Sequence, residues 1–394
     1  MRQGAGYAGT AVVILGGGLN ALSAARTLGR YGAEVHVLPE RSQWEPLKRS
    51  RYVRNARAWS FFEGADDMDK RWLQYLRESA EVLSGSVLLP CCDDGLEFLA
   101  LRRGTLADLG YRPVKANYEA VMDMLDKART YEIARKAGVA APDTVLISSL
   151  EHLRAAAGDF RYPCALKPVH SHRFQRHFPV KGFVVTSPAE LESRYRSVEE
   201  AGLAVLLTEI VKGTDDSYCS YFSYIDEDGQ PLVHFTKRKL RQYPNGFGAG
   251  TYHVTAWEPE AAELGQRFAR FAGLRGLVNV EFKRDANDGK LKLIESNPRL
   301  VASNELVRRA GVDFARITYD RAIGRPAAPA DGFQEGLYMW QPVGDYRAFR
   351  EYRSNGQLTT LQWLASLVHR QMLPIVALDD LAPVTGWLTH NFRK

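Results

Sequence analysis

The stretch from Leu277 to Leu300 restricts the possible folds of this chain more than any other. Val278, Val280 and Phe282 alternate with Asn279, Glu281 and Lys283, then Asp285 to Gly289 reads as a turn, and Leu291 and Leu293 alternate with Lys292, Ile294 and Glu295. Period-two alternation on both sides of an Asp-Gly turn predicts a β-hairpin. Its open end is unusually polar. Glu281, Glu295 and Asn297 are all oxygen donors, and a hairpin can bring the three to one end of a sheet. Two carboxylates and an amide oxygen form a hard-oxygen set suited to Mg²⁺. Arg299 follows behind the stiffening Pro298 and offers a planar fork to a carboxylate or phosphate. The plainer reading is a solvated hairpin face, since a Glu-x-Asn-x-Arg string also arises by chance.

With 394 residues the chain has room for two or three domains. Residues 1–112 predict a Rossmann-like α/β domain. Ala11 to Leu15 is a buried strand, Gly16-Gly17-Gly18 a tight turn, Asn20 to Tyr31 a helix and Glu34 to Leu38 a second strand, which implies a parallel sheet. Gly16-x-Gly18-x-x-Ala21 resembles a dinucleotide-binding turn, with Glu40 as the acid after the second strand. Pro39 intervenes, and the alternative is a glycine-rich turn between a strand and a closely packed helix. An NAD-dependent oxidoreductase built on this turn is the remote functional reading. Val87 to Pro90, followed by Asp93 and Asp94, ends the sheet of this domain, and such strand-end residues can line a substrate cleft.

Residues 113–326 carry the densest chemistry. Asp126-Lys127 lies at or near the start of a helix. Tyr162 to Pro168 is a buried strand with Lys167 at its end, followed by a loop holding His170, His172, Arg173, Arg176 and His177. A lysine after an apolar strand, beside a flexible loop, suits nucleotide phosphates, although such a lysine also snorkels to water. Glu209 stands alone in the apolar run Val205 to Val211; backbone groups at Ile210 and Val211 can read an adenine edge, and Asp216 can accept from ribose hydroxyls unless Asp215-Asp216 are turn residues. Lys237, Lys239 and Arg241 alternate along Phe235 to Pro244 and are expected on one strand face, where an anion would balance them. Loops 170–181 and 244–251 are the expected lids.

Composition narrows the partners. Hydrophobic residues make up 45% and charged residues 25%, ordinary for a soluble globular protein. The net charge of +6 is spread among interleaved acids, which speaks against a nucleic-acid surface and for a basic cleft taking small anionic substrates. Cys91, Cys92, Cys164 and Cys219 form no C-x-x-C pair, so neither a disulfide framework nor a zinc site follows, and a reducing cytoplasmic setting is expected. No run approaches the roughly 18 apolar residues of a membrane span.

Taken in order, Asp126-Lys127, Ala165-Leu166-Lys167-Pro168, Thr208 to Gly213, Glu281 and Glu295-Ser296-Asn297-Pro298-Arg299 resemble the ATP-grasp superfamily over roughly residues 110 to 326. The basic strand Arg238 to Pro244 and the segment Asp379-Asp380-Leu381-Ala382-Pro383 look like its carboxylate–amine ligase branch, similar to D-aspartate ligase. The resemblance implies a Rossmann-like pre-ATP-grasp domain followed by a two-lobed α+β ATP-grasp fold, with ATP between the lobes. It implies that Lys127 and Lys167 hold phosphates, Glu209 and the Val211 backbone the adenine, and Asp216 the ribose, with Lys239 as a further cofactor-binding candidate. Glu281, Glu295 and Asn297 would hold Mg²⁺, as two ions, with Mn²⁺ as a substitute. Arg299 would meet the acyl phosphate or substrate carboxylate. Two departures stand out: His172, Arg173 and His177 replace the usual Gly/Ser-rich phosphate cover, and Asn279 stands where some ligases carry Arg. They leave Arg241 and Arg299 as candidates for the oxyanion donor. The family reading also brings a homodimer, and small-molecule carboxylate and amine substrates.

Such a site would transfer the ATP γ-phosphoryl to a carboxylate, releasing ADP, and let an amine displace phosphate. The other readings are phosphoryl transfer to a hydroxyl and a nucleotide-binding regulator. Residues 327–394, after a linker at Ala327 to Gly332, form an aromatic-rich extension with Trp340, Tyr346, Phe349, Tyr352, Trp363 and Trp387, expected as a packing cap. Leu358 to Leu367 predicts a helix that Val368 to Leu373 extends.

Overall fold

The computed structural model describes residues 9–40, 44–54, 56–62, 67–327, 330 and 332–392. Of the expected linker, Ala328, Pro329 and Asp331 lie outside the described residues. Strands β1 (Gly9–Leu15), β2 (Ala33–Leu38), β3 (Val87–Pro90) and β4 (Arg112–Pro113) form a parallel sheet in the order β2-β1-β3-β4. Val12 to Leu15, Val35, Val37 and Val87 to Leu89 are buried without alternation, as expected where helices cover both faces of a parallel sheet. The helix Gly18–Arg30 follows β1 directly, and Gly16 and Gly18 make the reversal at φ of 123° and 66°.

A second, antiparallel sheet holds β5 (Thr144–Ile147), β6 (Cys164–Pro168), β7 (Phe183–Val185) and β8 (Val205–Thr208) in the order β5-β8-β6-β7. Cys164, Leu166, Val185 and Leu207 pack one face against the helices Leu150–Ala157 and Pro188–Glu200. Ser187 caps the latter and Pro188 opens it, the pairing that pre-sets a first turn. Alternation along β6 leaves Lys167 on the opposite face.

The third sheet joins β9 (Tyr218–Ile225), β10 (Pro231–Tyr243), β11 (Ala249–Thr255), β12 (Gly276–Arg284), β13 (Leu291–Ser296), β14 (Tyr338–Trp340) and β15 (Gln371–Met372) in the order β13-β12-β9-β10-β11-β14-β15. The expected hairpin is β12–β13. Its apolar set Val278, Val280, Phe282, Leu291 and Leu293 packs with Tyr221 and Phe268, Phe268 lying on the helix Pro259–Phe271. Gly265 makes that contact close: a Cβ there would stand 2.4 Å from the ring of the fully buried Tyr221. Gly265→Ala should therefore destabilise the fold by about 1–3 kcal/mol from overpacking, although alanine is the better helix former by about 1 kcal/mol. An unshifted urea midpoint would contradict that ordering of effects.

Residues after 337 extend this sheet, since β14 pairs antiparallel with β11 and β15 parallel with β14. The helix of the extension is shorter than the sequence suggests, spanning Thr360–Ser366. Residues 368–373 do not continue it. The open edge of β14 offers ladder partners to Gln371 and Met372, and Met372 is buried against Leu306 and Met339. Trp363 stacks on Phe349 with centroids 4.6 Å apart, as a packing cap would. Among the described residues no helix is long and apolar enough to cross a membrane.

Candidate functional site

A cleft opens between the free faces of the second and third sheets. Lys167 reaches it from β6, Glu209 to Val211 from the end of β8, Tyr218 from β9, Lys239 and Gln242 from β10, Glu281 and Lys283 from β12, and Ile294 and Glu295 from β13. Lys127, Lys181 and Gly246 to Gly248 complete the wall. The sequence-derived set is thus brought together for Lys127, Lys167, Glu209, Val211, Lys239, Glu281 and Glu295.

Strand pairing explains the carboxylates. Glu281 faces Glu295 across β12–β13, while Phe282 faces Leu293, so Ile294 is the extra residue of a β-bulge. The bulge lets the successive residues Ile294 and Glu295 both line the cleft, which strict alternation forbids. Like charges directly opposite on paired strands repel unless a cation intervenes. Lys239 supplies part of that cation, donating to Glu281 Oε1 at 3.0 Å and to Gln242 Oε1 at 3.1 Å. Burial pushes the Glu295 carboxyl up, but Lys127, Lys181, the Asn297 amide and Lys239 together hold it well below the usual carboxylate range.

Positive charge is in excess: five lysines, at 127, 167, 181, 239 and 283, line the cleft against carboxylates at 209, 281 and 295. Asp126 caps the helix Lys127–Lys136, so Lys127 opens it and adds its charge to the positive end of the helix dipole. Lys167 makes no hydrogen bond or ion pair among the described residues and lies near the Phe247 ring, 6.0 Å from its centroid. Burial lowers its pKa, with Glu295 and Glu281 opposing. It is partly buried and lines the cleft. Glu209 is anchored by Lys292 Nζ at 2.5 Å and by the Asp143 amide at 3.1 Å. The Val211 carbonyl accepts from Lys283 Nζ at 2.9 Å.

Four expected residues are placed elsewhere. Asp216 is exposed, accepts from Thr214 Oγ1 and does not line the cleft. Its neighbour Asp215 turns inward instead, accepting from Gln242 Nε2 at 2.7 Å and from the Tyr352 hydroxyl. Arg241 leaves the lysine face because β10 bulges against β11: Lys239 pairs with His253 and Arg241 with Tyr252. Its fork is filled by Asp345, at 2.7 and 2.9 Å, and its last nitrogen reaches Ser366 Oγ. Asn297 bridges Glu295 and Arg299, donating to Glu295 Oε1 at 3.0 Å and accepting from Arg299 Nη2 at 3.1 Å. Arg299 itself pairs with Asp93 of the first domain at 2.6 Å and faces a neighbouring cavity.

The loop expected as a phosphate cover is pinned to the first domain. His172 Nε2 lies 3.1 Å from Glu97 Oε2, Arg173 also bonds Glu97, and Arg176 bonds Asp94. The hydrogen bond to His172, with Arg173 adding to it against burial, holds the Glu97 carboxyl down to about 2. Sequence reasoning missed Lys181, Lys283 and Phe247 as cleft residues. Lys283 was visible as the next same-face position after Glu281; Phe247 carries no such signal.

The carboxylates fit a divalent cation. Among the described residues no group of three or more His, Cys, Asp and Glu could hold a metal ion. Two facing carboxylates leave most positions to water and phosphate oxygens, the coordination Mg²⁺ prefers.

Residues 229–340 match a family described as ATP-grasp in the biosynthetic pathway with Ter operon. The C-terminal section of the carbamoyl phosphate synthase large chain of Methanopyrus kandleri is 23% identical over 232 residues, 56% of this chain and 41% of the relative. The chain thus spans about two-fifths of that relative's length. Among solved structures, the ADP complex of an N5-carboxyaminoimidazole ribonucleotide synthetase has a TM-score of 0.61 at 16% identity, covering 83% of this chain and 80% of the other. The biotin carboxylase domain of Hydrogenobacter thermophilus 2-oxoglutarate carboxylase, with MgADP and bicarbonate, scores 0.61 at 17% identity, covering 83% and 73%. Matched segment and shared architecture agree: residues 229–340 are similar to an ATP-grasp family, and the chain has the fold of these solved structures.

Proposed function

We propose that the protein is an ATP-dependent, ADP-forming ligase that activates a substrate carboxylate as an acyl phosphate and joins it to an amine, in the simplest case an amino acid. The observation that carries this reading is the cleft between two sheets, with Glu281 opposite Glu295 and five lysines around them. A carboxylate is a poor acyl donor because its leaving group would be oxide. Phosphorylation replaces that leaving group with phosphate, and the work left to the protein is positioning and charge neutralisation.

In this reading Lys167 and Lys127 grip phosphate oxygens, for which neither has a competing partner among the described residues. Glu209 and the Val211 backbone meet the adenine, and Lys239 shifts from Glu281 toward phosphate. Glu281 and Glu295 would hold the divalent cation, two ions when the nucleotide is bound, with Mn²⁺ as substitute; the Asn297 amide would turn its oxygen to it. Bound there, Mg²⁺ would neutralise charge between phosphate groups. Arg241 is enclosed by Asp345 and Ser366, whereas Arg299, though paired with Asp93, lines an open cavity, so Arg299 takes the oxyanion. Phe247 and its flanking glycines shield the acyl phosphate from water. A cytoplasmic setting and a homodimer complete the proposal.

Incubation with Mg-ATP and pooled carboxylates and amino acids, read by mass spectrometry, tests it. ADP together with a mass equal to acid plus amine minus water is the expected result. ADP with a phosphorylated product and no amide would shift the assignment to phosphoryl transfer, and absence of Mg-dependent ATP binding would remove it.

A further inference from the structure

Two cavities meet on the first-domain side of Arg299. One, of about 420 Å³, is lined by Asp94, Arg176 and Arg299 among others. The second, of about 460 Å³, lies between the glycine turn at Gly17-Gly18 and the C-terminal extension, where Arg347 and Trp387 form its wall. Asn20 and Glu40 belong to both, so Glu40 stands at the waist of one continuous cleft. Most charges in it are already used: Arg299 by Asp93, Arg176 by Asp94 and His172 by Glu97. Glu40 and Arg347 are the exceptions, since neither makes a hydrogen bond or ion pair among the described residues. One unpaired carboxyl shared by the two cavities and one exposed, unpaired guanidinium in the wall of the second form a complementary pair of ends for a zwitterion.

Glu40 is also the acid that the dinucleotide-like pattern singles out, and its placement explains why that pattern misleads. A Cβ on Gly17 would stand 3.2 Å from Glu40 Oε1, so the carboxyl lies against the turn itself. Negative charge at that place opposes a pyrophosphate and attracts an ammonium. We propose that this cleft binds the acceptor amine of the ligase reaction as a zwitterion of the amino-acid class, its amino group at Glu40 and its carboxylate at Arg347. Glu40 takes one proton from the ammonium. The freed nitrogen lone pair forms the C–N bond at the acyl carbon, the C–O bond to phosphate breaks with its electron pair, and the second proton leaves with phosphate as hydrogenphosphate. The C-terminal extension thereby becomes part of the substrate site. This inference rests on the ligase reading.

Burial first, then the neighbouring Asp94 and Asp93, push the Glu40 carboxyl up to about 7, with Arg299 opposing; Cys91 and Cys92 face the same cavity and are held as neutral thiols by burial. A base near ambient pH suits proton removal. Ionised Glu40 is the active form, so amide synthesis should rise with pH through this value.

Hydroxylamine separates the two half-reactions, because it is uncharged at neutral pH and traps an acyl phosphate without needing a base. With Mg-ATP and the carboxylate found by the product screen, Glu40→Gln should lower amide synthesis about 10²–10⁴-fold while hydroxamate formation falls far less, and the rising limb near neutral pH should disappear. Arg347→Ala should raise the KM for the amine by about tenfold or more with little change in kcat, the loss expected for one charged contact. Equal loss of hydroxamate and amide in Glu40→Gln, or undiminished amide synthesis, would overturn the assignment of Glu40. An unchanged KM in Arg347→Ala would overturn the carboxylate end. Failure of the unaltered protein to form hydroxamate from any carboxylate would instead sink the ligase reading on which all of this depends.

Discussion

Glu295→Gln is expected to reduce ADP formation by about 10³-fold or more, the scale of losing a charge placed for phosphoryl transfer, while the fold remains intact. The substitution is isosteric, so packing beside Ile294 is preserved. It removes one of two carboxylates that face each other across β12–β13, and relief of that repulsion offsets the lost attraction to Lys127, Lys181 and Lys239. Lys167→Ala sharpens the test. Its ammonium is buried without an ion pair and its pKa is lowered by that burial, so the folded chain bears its desolvation cost. Removing it should leave stability unchanged or slightly raised, yet cut ADP formation about 10²–10³-fold. An ion-pairing structural lysine would show the opposite combination. Coupled ADP release and urea midpoints, measured on both variants, decide: normal turnover in either removes the assigned role, and a collapsed fold would make the activity loss uninformative about chemistry.

The order of chemistry along the chain was legible because it rests on local pattern. The β12–β13 hairpin, the glycine turn before the helix Gly18–Arg30 and Lys167 at the end of β6 all follow from period-two alternation, turn residues and isolated charges in apolar runs. One failure has a clear cause. Arg241 was expected beside Lys237 and Lys239, and a β-bulge turns it to the other face; a second bulge, on β13, brings Ile294 onto the face of Glu295. Bulges add one residue without leaving a mark in composition, and a shift of one residue exchanges the faces of a strand. The misplacement of Asp216 has the same character, since the tight turn Asp215–Ser217 decides which of two adjacent aspartates points inward. Long-range pairings were the other blind spot. That His172 and Arg173 meet Glu97, and that Arg241 meets Asp345, depends on domain docking that no local pattern encodes.

Asp380→Ala should be the most destabilising change in the C-terminal extension, by about 3–5 kcal/mol, because it leaves a buried guanidinium uncompensated. Arg26 and Asp380 have side chains only 2% and 0% exposed, with Nε 2.9 Å from Oδ2. Asp380 also accepts from Ser50 Oγ at 2.7 Å and the Arg51 amide at 2.9 Å, while Arg26 donates to the carbonyls of Pro374, Ile375 and Asp380. One carboxylate thus ties the first domain to the returning chain, and its loss strands three donors at once. The adjacent Asp379 is the control. It takes both prongs of Arg30 at 2.7 Å and the Tyr52 hydroxyl at 2.6 Å, but the Asp379 and Arg30 side chains are 44% and 29% exposed, so water screens the pair and Asp379→Ala should cost about 1–2 kcal/mol, clearly less than Asp380→Ala. Asp380→Asn should fall between, keeping the shape and one acceptor. The effect should reach function in a specific way. Arg26 lies on the helix that begins at Gly18, and the extension carries Arg347, so the latch holds together the two walls of the amine cleft. The Lys167–Glu295 cleft is built on other strands. Limited proteolysis of Asp380→Ala should therefore release the C-terminal segment early, and amide synthesis should fail at urea concentrations where hydroxamate formation persists. Equal midpoints for Asp380→Ala and Asp379→Ala would show that the buried pair does not carry the docking.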